Sequence, residues 1–134
     1  MFIAQQFSGI KTTICVKPKE IDNYVSKIII DSGAWEGSLV AGMMELMDQY
    51  PDAVFMDIGS NIGRYLILFK MERLSTVLGM YSVMVAGMGR HIIACDPMAK
   101  NLALIHQSLK LTDRLHLATL INNPLRSDSI HKGF

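Results

Sequence analysis

The stretch Val54-Phe55-Met56-Asp57-Ile58-Gly59-Ser60-Asn61-Ile62-Gly63 restricts what this chain can fold into more than any other part of it. A short apolar run that closes on Asp and then Gly reads as a buried parallel strand breaking into a tight turn. Glycine there permits positive φ and lets the backbone approach a ligand closely. From Arg64 the pattern turns helical, so Ser60 to Gly63 would open a helix whose free N–H groups favour hydrogen-bond acceptors. Asp57, at the carboxyl end of the strand, would then stand in the crevice where open α/β sheets bind ligands. An ordinary strand–turn–helix joint without a ligand is the competing reading.

Composition narrows the function classes. A chain of 134 residues holds one domain at most. A formal net charge of +1 offers no electrostatic footprint for nucleic acid. Cys15 and Cys95 lie far apart without a CxxC partner, which points to a reducing, cytoplasmic setting and to no zinc site, with a single distant disulfide left open. The opening Met-Phe-Ile-Ala-Gln-Gln turns polar too soon for a signal segment. The longest uncharged run, Leu74 to Gly89, is short of a membrane span and reads as buried helix.

Along the chain, Ile10 to Val16 favours β structure, ended by Lys17-Pro18-Lys19. Tyr24 to Ile30 reads as a second strand stopping at Asp31-Ser32-Gly33, and the two would pair as a hairpin ahead of the main domain. Leu39, Met43, Met44 and Met47 share one face of a helix from about Ser38 to about Gln49, ended by Pro51. His91 to Asp96 is the next buried strand, stopped by Pro97. Ala99 to Leu111 is a helix with Leu102, Ile105 and Leu109 inward, and Leu115 to Ile121 is a third strand. Strand, helix, strand, helix, strand is the order of a βαβαβ unit with a parallel sheet. The expected fold class is therefore α/β and Rossmann-like, with strands over residues 1–31, the main unit over 32–128 and a tail over 129–134.

A carboxylate ending the second strand of such a unit can accept both ribose hydroxyls, so Asp96 fits an adenosine half-site beside the glycine turn. The competing reading, compatible with the first, is an N-cap with Pro97 in the first helical position. Dinucleotide folds use G-x-G-x-x-G, whereas this chain has Asp-x-Gly-x-Asn-x-Gly. An acid directly before the turn opposes a pyrophosphate and suits a ligand with a cationic ammonium, which favours S-adenosylmethionine over NAD. His91, His106, His116 and His131 are scattered without ligand spacing, so no metal is expected. No nucleophile elbow and no catalytic base can be named.

Met56-Asp57-Ile58-Gly59-Ser60-Asn61-Ile62-Gly63, Met80-Tyr81-Ser82, and Ala94-Cys95-Asp96-Pro97-Met98 with Asn101-Leu102 resemble FkbM-type S-adenosylmethionine-dependent methyltransferases. Trp35-Glu36 before a helix and Leu120-Ile121-Asn122-Asn123 after the third strand resemble them too. The resemblance implies a class I methyltransferase fold, of which this chain would be the N-terminal half, and methyl transfer to an oxygen of a small molecule or glycan. It implies that Asp57, Gly59 and Gly63 line the methionine side, that Asp96 takes the ribose, and that Ser60, Asn61 and Met98 belong to the cofactor-binding set. An inactive remnant is the alternative: it would serve at most as a partner-binding module, self-associating through an uncovered sheet edge.

In that family the turn runs directly into its helix, as if Met80-Tyr81-Ser82 followed Gly63. Here the segment Arg64 to Gly79 intervenes. Reverse translation permits a GT donor at Gly63-Arg64 and an AG acceptor at Leu78-Gly79, so the segment reads as a retained intron or a gene-model error whose removal keeps the reading frame, with a genuine family-specific insertion as the alternative. At about 100° per residue, continuous helix would leave the following face about 160° out of phase. Two helices are expected instead, about Tyr65 to Val77 and about Met80 to Gly87, broken at Gly79.

Overall fold

The computed structural model describes residues 2–7, 9–33, 36–58 and 78–123. The elements run β1 (Phe2–Phe7), β2 (Ile10–Cys15), α1 (Val25–Ser32), α2 (Gly37–Gln49), β3 (Phe55–Ile58), α3 (Leu78–Gly87), β4 (Ile92–Cys95), α4 (Ala99–Leu111) and β5 (Ala118–Ile121). The last three strands form a parallel sheet in the order β3-β4-β5, with Phe55, Ile92 and Ala118 in one row and Ile58, Cys95 and Ile121 in another. This is an α/β fold with a three-stranded parallel sheet flanked by helices, Rossmann-like in kind. Parallel neighbours need a crossover, and α3 and α4 supply the two. Residues 115–117 form a 3₁₀ turn rather than the start of the third strand.

The N-terminal third departs from the sequence reading. Residues 24–30, expected as a strand, belong to α1. Asp22 decides this, because its carboxylate accepts the N–H groups of Tyr24, Val25 and Ser26 at 3.3, 3.2 and 3.0 Å and the Ser26 hydroxyl at 2.8 Å. Those are donors that a helix leaves unsatisfied at its first turn. Gly33, at φ 84°, closes the other end by donating to the Ile29 carbonyl. Helix punctuation at both ends outweighs the β preference of the isoleucines between. The hairpin partner of β2 is instead β1, antiparallel, with Phe7 opposite Ile10 and Gly9 at φ 83° in the two-residue connection. On α2 the inward residues are Val40, Met44 and Met47, whereas Leu39 is exposed.

α3 is the centre of the molecule. It packs on β3 and β4 on one side, on β2 on another, and on α2 and α4 at its flanks. Met80, Val83, Met84, Val85 and Ala86 are all buried, and Ile14 and Val16 of the N-terminal segment share their core. A helix that is apolar all round is one that other elements surround, which is the case here. Gly79 does not break it, because Leu78 and Gly79 are already helical. The glycine serves packing: a Cβ at 79 would lie 3.2 Å from Ile105 Cγ1 on α4. The expected helix over residues 65–77 lies outside the described residues. Cys15 and Cys95 are free thiols. No helix among the described residues is long and apolar enough to cross a membrane.

Thr12 faces this core at 4% exposure, and its hydroxyl oxygen has no hydrogen-bond partner. A buried unpaired hydroxyl costs roughly 1–3 kcal/mol, and an apolar group of the same shape removes that cost. Thr12→Val is therefore expected to raise stability by about 1 kcal/mol, seen as a higher urea midpoint at unchanged slope. A lowered midpoint would contradict this account of the site.

Candidate functional site

Parallel strands deliver their carboxyl ends to one edge, and two carboxylates arrive there on neighbouring strands. Asp57 is paired in register with Ala94, two residues before Asp96. Alternation along β3 turns Asp57 toward α3, where its Oδ2 accepts the Ser82 hydroxyl at 2.6 Å. Asp57 is 7% exposed. Burial pushes its carboxyl up to about 6; the Ser82 hydrogen bonds pull the other way, and the Asp96 charge adds to the rise.

Asp96 is 3% exposed and organises the end of β4. Its N–H donates to the Ile121 carbonyl at 3.1 Å, extending the ladder to β5, and its own carbonyl accepts Asn122 Nδ2 at 3.0 Å. Its carboxylate accepts the Met98 N–H at 2.6 Å on Oδ1 and Asn101 Nδ2 at 3.1 Å on Oδ2. A carboxylate has about four acceptor positions, so these two bonds leave capacity on both oxygens. The N-cap of α4 is Met98, so Pro97 precedes the cap instead of occupying the first helical position. Asp96 thus braces the turn into the helix without capping it in the expected manner. The Met98 side chain is exposed at the rim.

Next to Ser82, Tyr81 donates its hydroxyl to Glu36 Oε2 at 2.7 Å. Burial, and then that carboxylate, raise the Tyr81 phenol above its ordinary value. Glu36 stands before α2 at φ 48°, a left-handed conformation uncommon for a residue with a Cβ. Two consecutive hydroxyls of α3 therefore hold two carboxylates from different elements. Sequence reasoning gave Tyr81, Ser82, Asn101 and Asn122 no role of their own. The available signal was the pair Tyr81-Ser82, polar residues inside the apolar run from Met80 to Met88. Gly59, Ser60, Asn61 and Gly63, expected in the cofactor-binding set, lie outside the described residues, as does Trp35. Among the described residues no three His, Cys, Asp or Glu side chains gather in a way that could hold a metal ion. Comparison with family models, curated proteins and solved structures finds no match for this chain.

The raised Asp57 carboxyl has a sign that can be tested. Between an ordinary value of 3.8 and about 6, the folded state keeps the proton that the unfolded state has lost. Stability therefore falls as pH rises through that window and levels off above it, by an amount on the order of 3 kcal/mol. Asp57→Asn keeps an oxygen acceptor for Ser82 and removes the titration. Relative to wild type it should gain about 1–3 kcal/mol at pH 7.5 and little at about pH 3 in denaturant unfolding. A difference independent of pH would rule out a neutralised Asp57.

Proposed function

We propose that the carboxyl edge of the sheet binds S-adenosylmethionine, and that the chain carries the cofactor half of an FkbM-type O-methyltransferase. One observation carries this reading. Asp57 and Asp96, both nearly free of solvent, stand at the carboxyl ends of adjacent parallel strands, and Asp57 is held there against its preference for water. Ligands of open α/β sheets bind at that edge. A carboxylate kept at a cost to stability is characteristic of functional sites. The residues fit the cofactor's chemistry. Asp57 would offset the ligand's positive charge, the spare acceptor capacity of Asp96 would take ribose hydroxyls, and Met98 would border the ligand at the rim. Gly59, Ser60, Asn61 and Gly63 would complete the binding turn. When bound, the cofactor supplies a methyl group activated by its sulfonium, for which a small-molecule or glycan oxygen is the acceptor. NAD fits less well, because an acid beside the turn opposes its pyrophosphate.

Calorimetry tests the reading. S-adenosylmethionine should release or absorb heat on binding, with affinity falling about tenfold per pH unit below 6 as Asp57 takes up its proton, while adenosine shows no such dependence. Asp96→Ala should weaken both ligands. No heat from either S-adenosylmethionine or its demethylated product, in a chain shown to be folded by circular dichroism, would remove the claim.

A second reading has its own observation. The sheet face away from α3 exposes Met56 at 56%, Ile58 at 45% and Ile121 at 39%, and β3 and β5 are both edge strands among the described residues. In that reading the chain is a partner-binding remnant that pairs with a second copy through this edge and face. Light scattering would then report a mass that rises with concentration, and a constant monomer mass across the series would dismiss it.

A further inference from the structure

The strand and the helix that residues 59–77 connect pack against each other. The 2.6 Å hydrogen bond between Asp57 and Ser82 sets the penultimate residue of β3 against the second turn of α3. Leu78 comes one helical turn before Ser82, about 6 Å along the helix axis. A step from strand to adjacent helix is commonly closed by about two to six residues. Here residues 59–77 separate β3 from the helix packed on it.

The surplus has a definable position. Leu78-Gly79 precedes Met80 just as Ile62-Gly63 precedes Arg64, an aliphatic residue followed by glycine in both places. Position 79 packs closely on α4, where a Cβ would lie 3.2 Å from Ile105 Cγ1. Met80, the next residue, is buried against the core. Without residues 64–79, Ile62 and Gly63 would occupy the places of Leu78 and Gly79, and glycine would still face Ile105. Gly59-Ser60-Asn61 alone would then close the step, within the usual length of such joints. An excision of the same length begun one position later fails this test, because it brings Arg64 to the place of Met80.

We propose that residues 64–79 are an insertion into a joint that closes without them, and that the shortened chain keeps the same fold with Gly63 in the role of Gly79. A mature transcript lacking those codons would be its natural source. The further step, that the shorter chain is the better cofactor binder because its turn opens α3 directly, rests on the proposed function and is read separately.

Three chains decide the matter: full length, the deletion of residues 64–79, and the deletion of residues 65–80. The first deletion should give amide NMR spectra that superimpose on the full chain for β4, α4 and β5, and should melt at the same temperature or higher. The second, with Arg64 in a buried place, should lose its cooperative transition. Gly63→Ala in the shortened chain should shift the melting temperature in the same direction, and by a similar amount, as Gly79→Ala does in the full chain. An unfolded or rearranged first deletion, equal behaviour of the two deletions, or Gly63→Ala and Gly79→Ala shifts of opposite sign overturn the proposal. In the same samples, tenfold tighter S-adenosylmethionine binding by the shorter chain supports the functional step. Two folded chains that both bind nothing retire the methyltransferase reading and leave the joint intact.

Discussion

The hydrogen bond from Ser82 to Asp57 joins the end of the first parallel strand to the helix that the rest of the core surrounds. It is an unusual bond to place there. Ser82 is fully buried on a helix whose other inward residues are apolar, and Asp57 sits in surroundings that disfavour its charge. Filling the same volume with a methyl-bearing pair would stabilise the fold, since an ionised carboxylate loses hydration that one hydroxyl cannot replace. The core tolerates the loss because α3 compensates elsewhere. At about 1.5–3 kcal/mol per large buried side chain, Met80, Val83, Met84 and Val85 together outweigh one poorly solvated acid.

The position of α3 also accounts for the inequality of the two sheet faces. Phe55, Asp57, Ile92 and Ala94 lie on the side of the helices, and β2 crosses behind α3 and α4 as a third layer. The opposite side carries Met56, Ile58, Ile93, Cys95, Thr119 and Ile121, none of them charged. Single exposed apolar residues are ordinary, but a continuous uncharged strip across three strands is a surface of a different kind. It explains why β3 and β4 read in the sequence as strands buried on both sides. Their composition is suited to two-sided cover, and among the described residues only one side has it.

The sequence made the parallel unit legible because strand and helix periods alternate clearly from Phe55 to Ile121, and the limits expected for α4 match those observed. It misled where side-chain hydrogen bonds set the outcome. Val25 and the three isoleucines at 28–30 favour a strand until Asp22 is seen collecting four donors, an arrangement that depends on local geometry rather than composition. Gly79 was legible as special but for the wrong reason. Its close neighbour is Ile105, which belongs to the next helix, and no local pattern reports that contact. At the site, Asp57 and Asp96 could be found because each ends an apolar run. Their partners could not, since a serine and two asparagines carry no periodic signal.

A long connection at the most exacting joint of the fold is less paradoxical than it first looks. Loop-closure entropy grows only with the logarithm of length, so lengthening a joint about sixfold costs about 1–2 kcal/mol. Burial of α3 alone exceeds that several times over. On the proposal above the fold would be indifferent to the length of this connection, because packing and the Asp57–Ser82 bond align strand and helix. A ligand site is not indifferent. Backbone N–H groups act on a ligand only when the turn and the helix start are covalently phased, since their effect fades within the first helical turn. The proposed insertion would therefore separate two properties that a short joint keeps together: the core would persist, and the alignment of turn with helix would not.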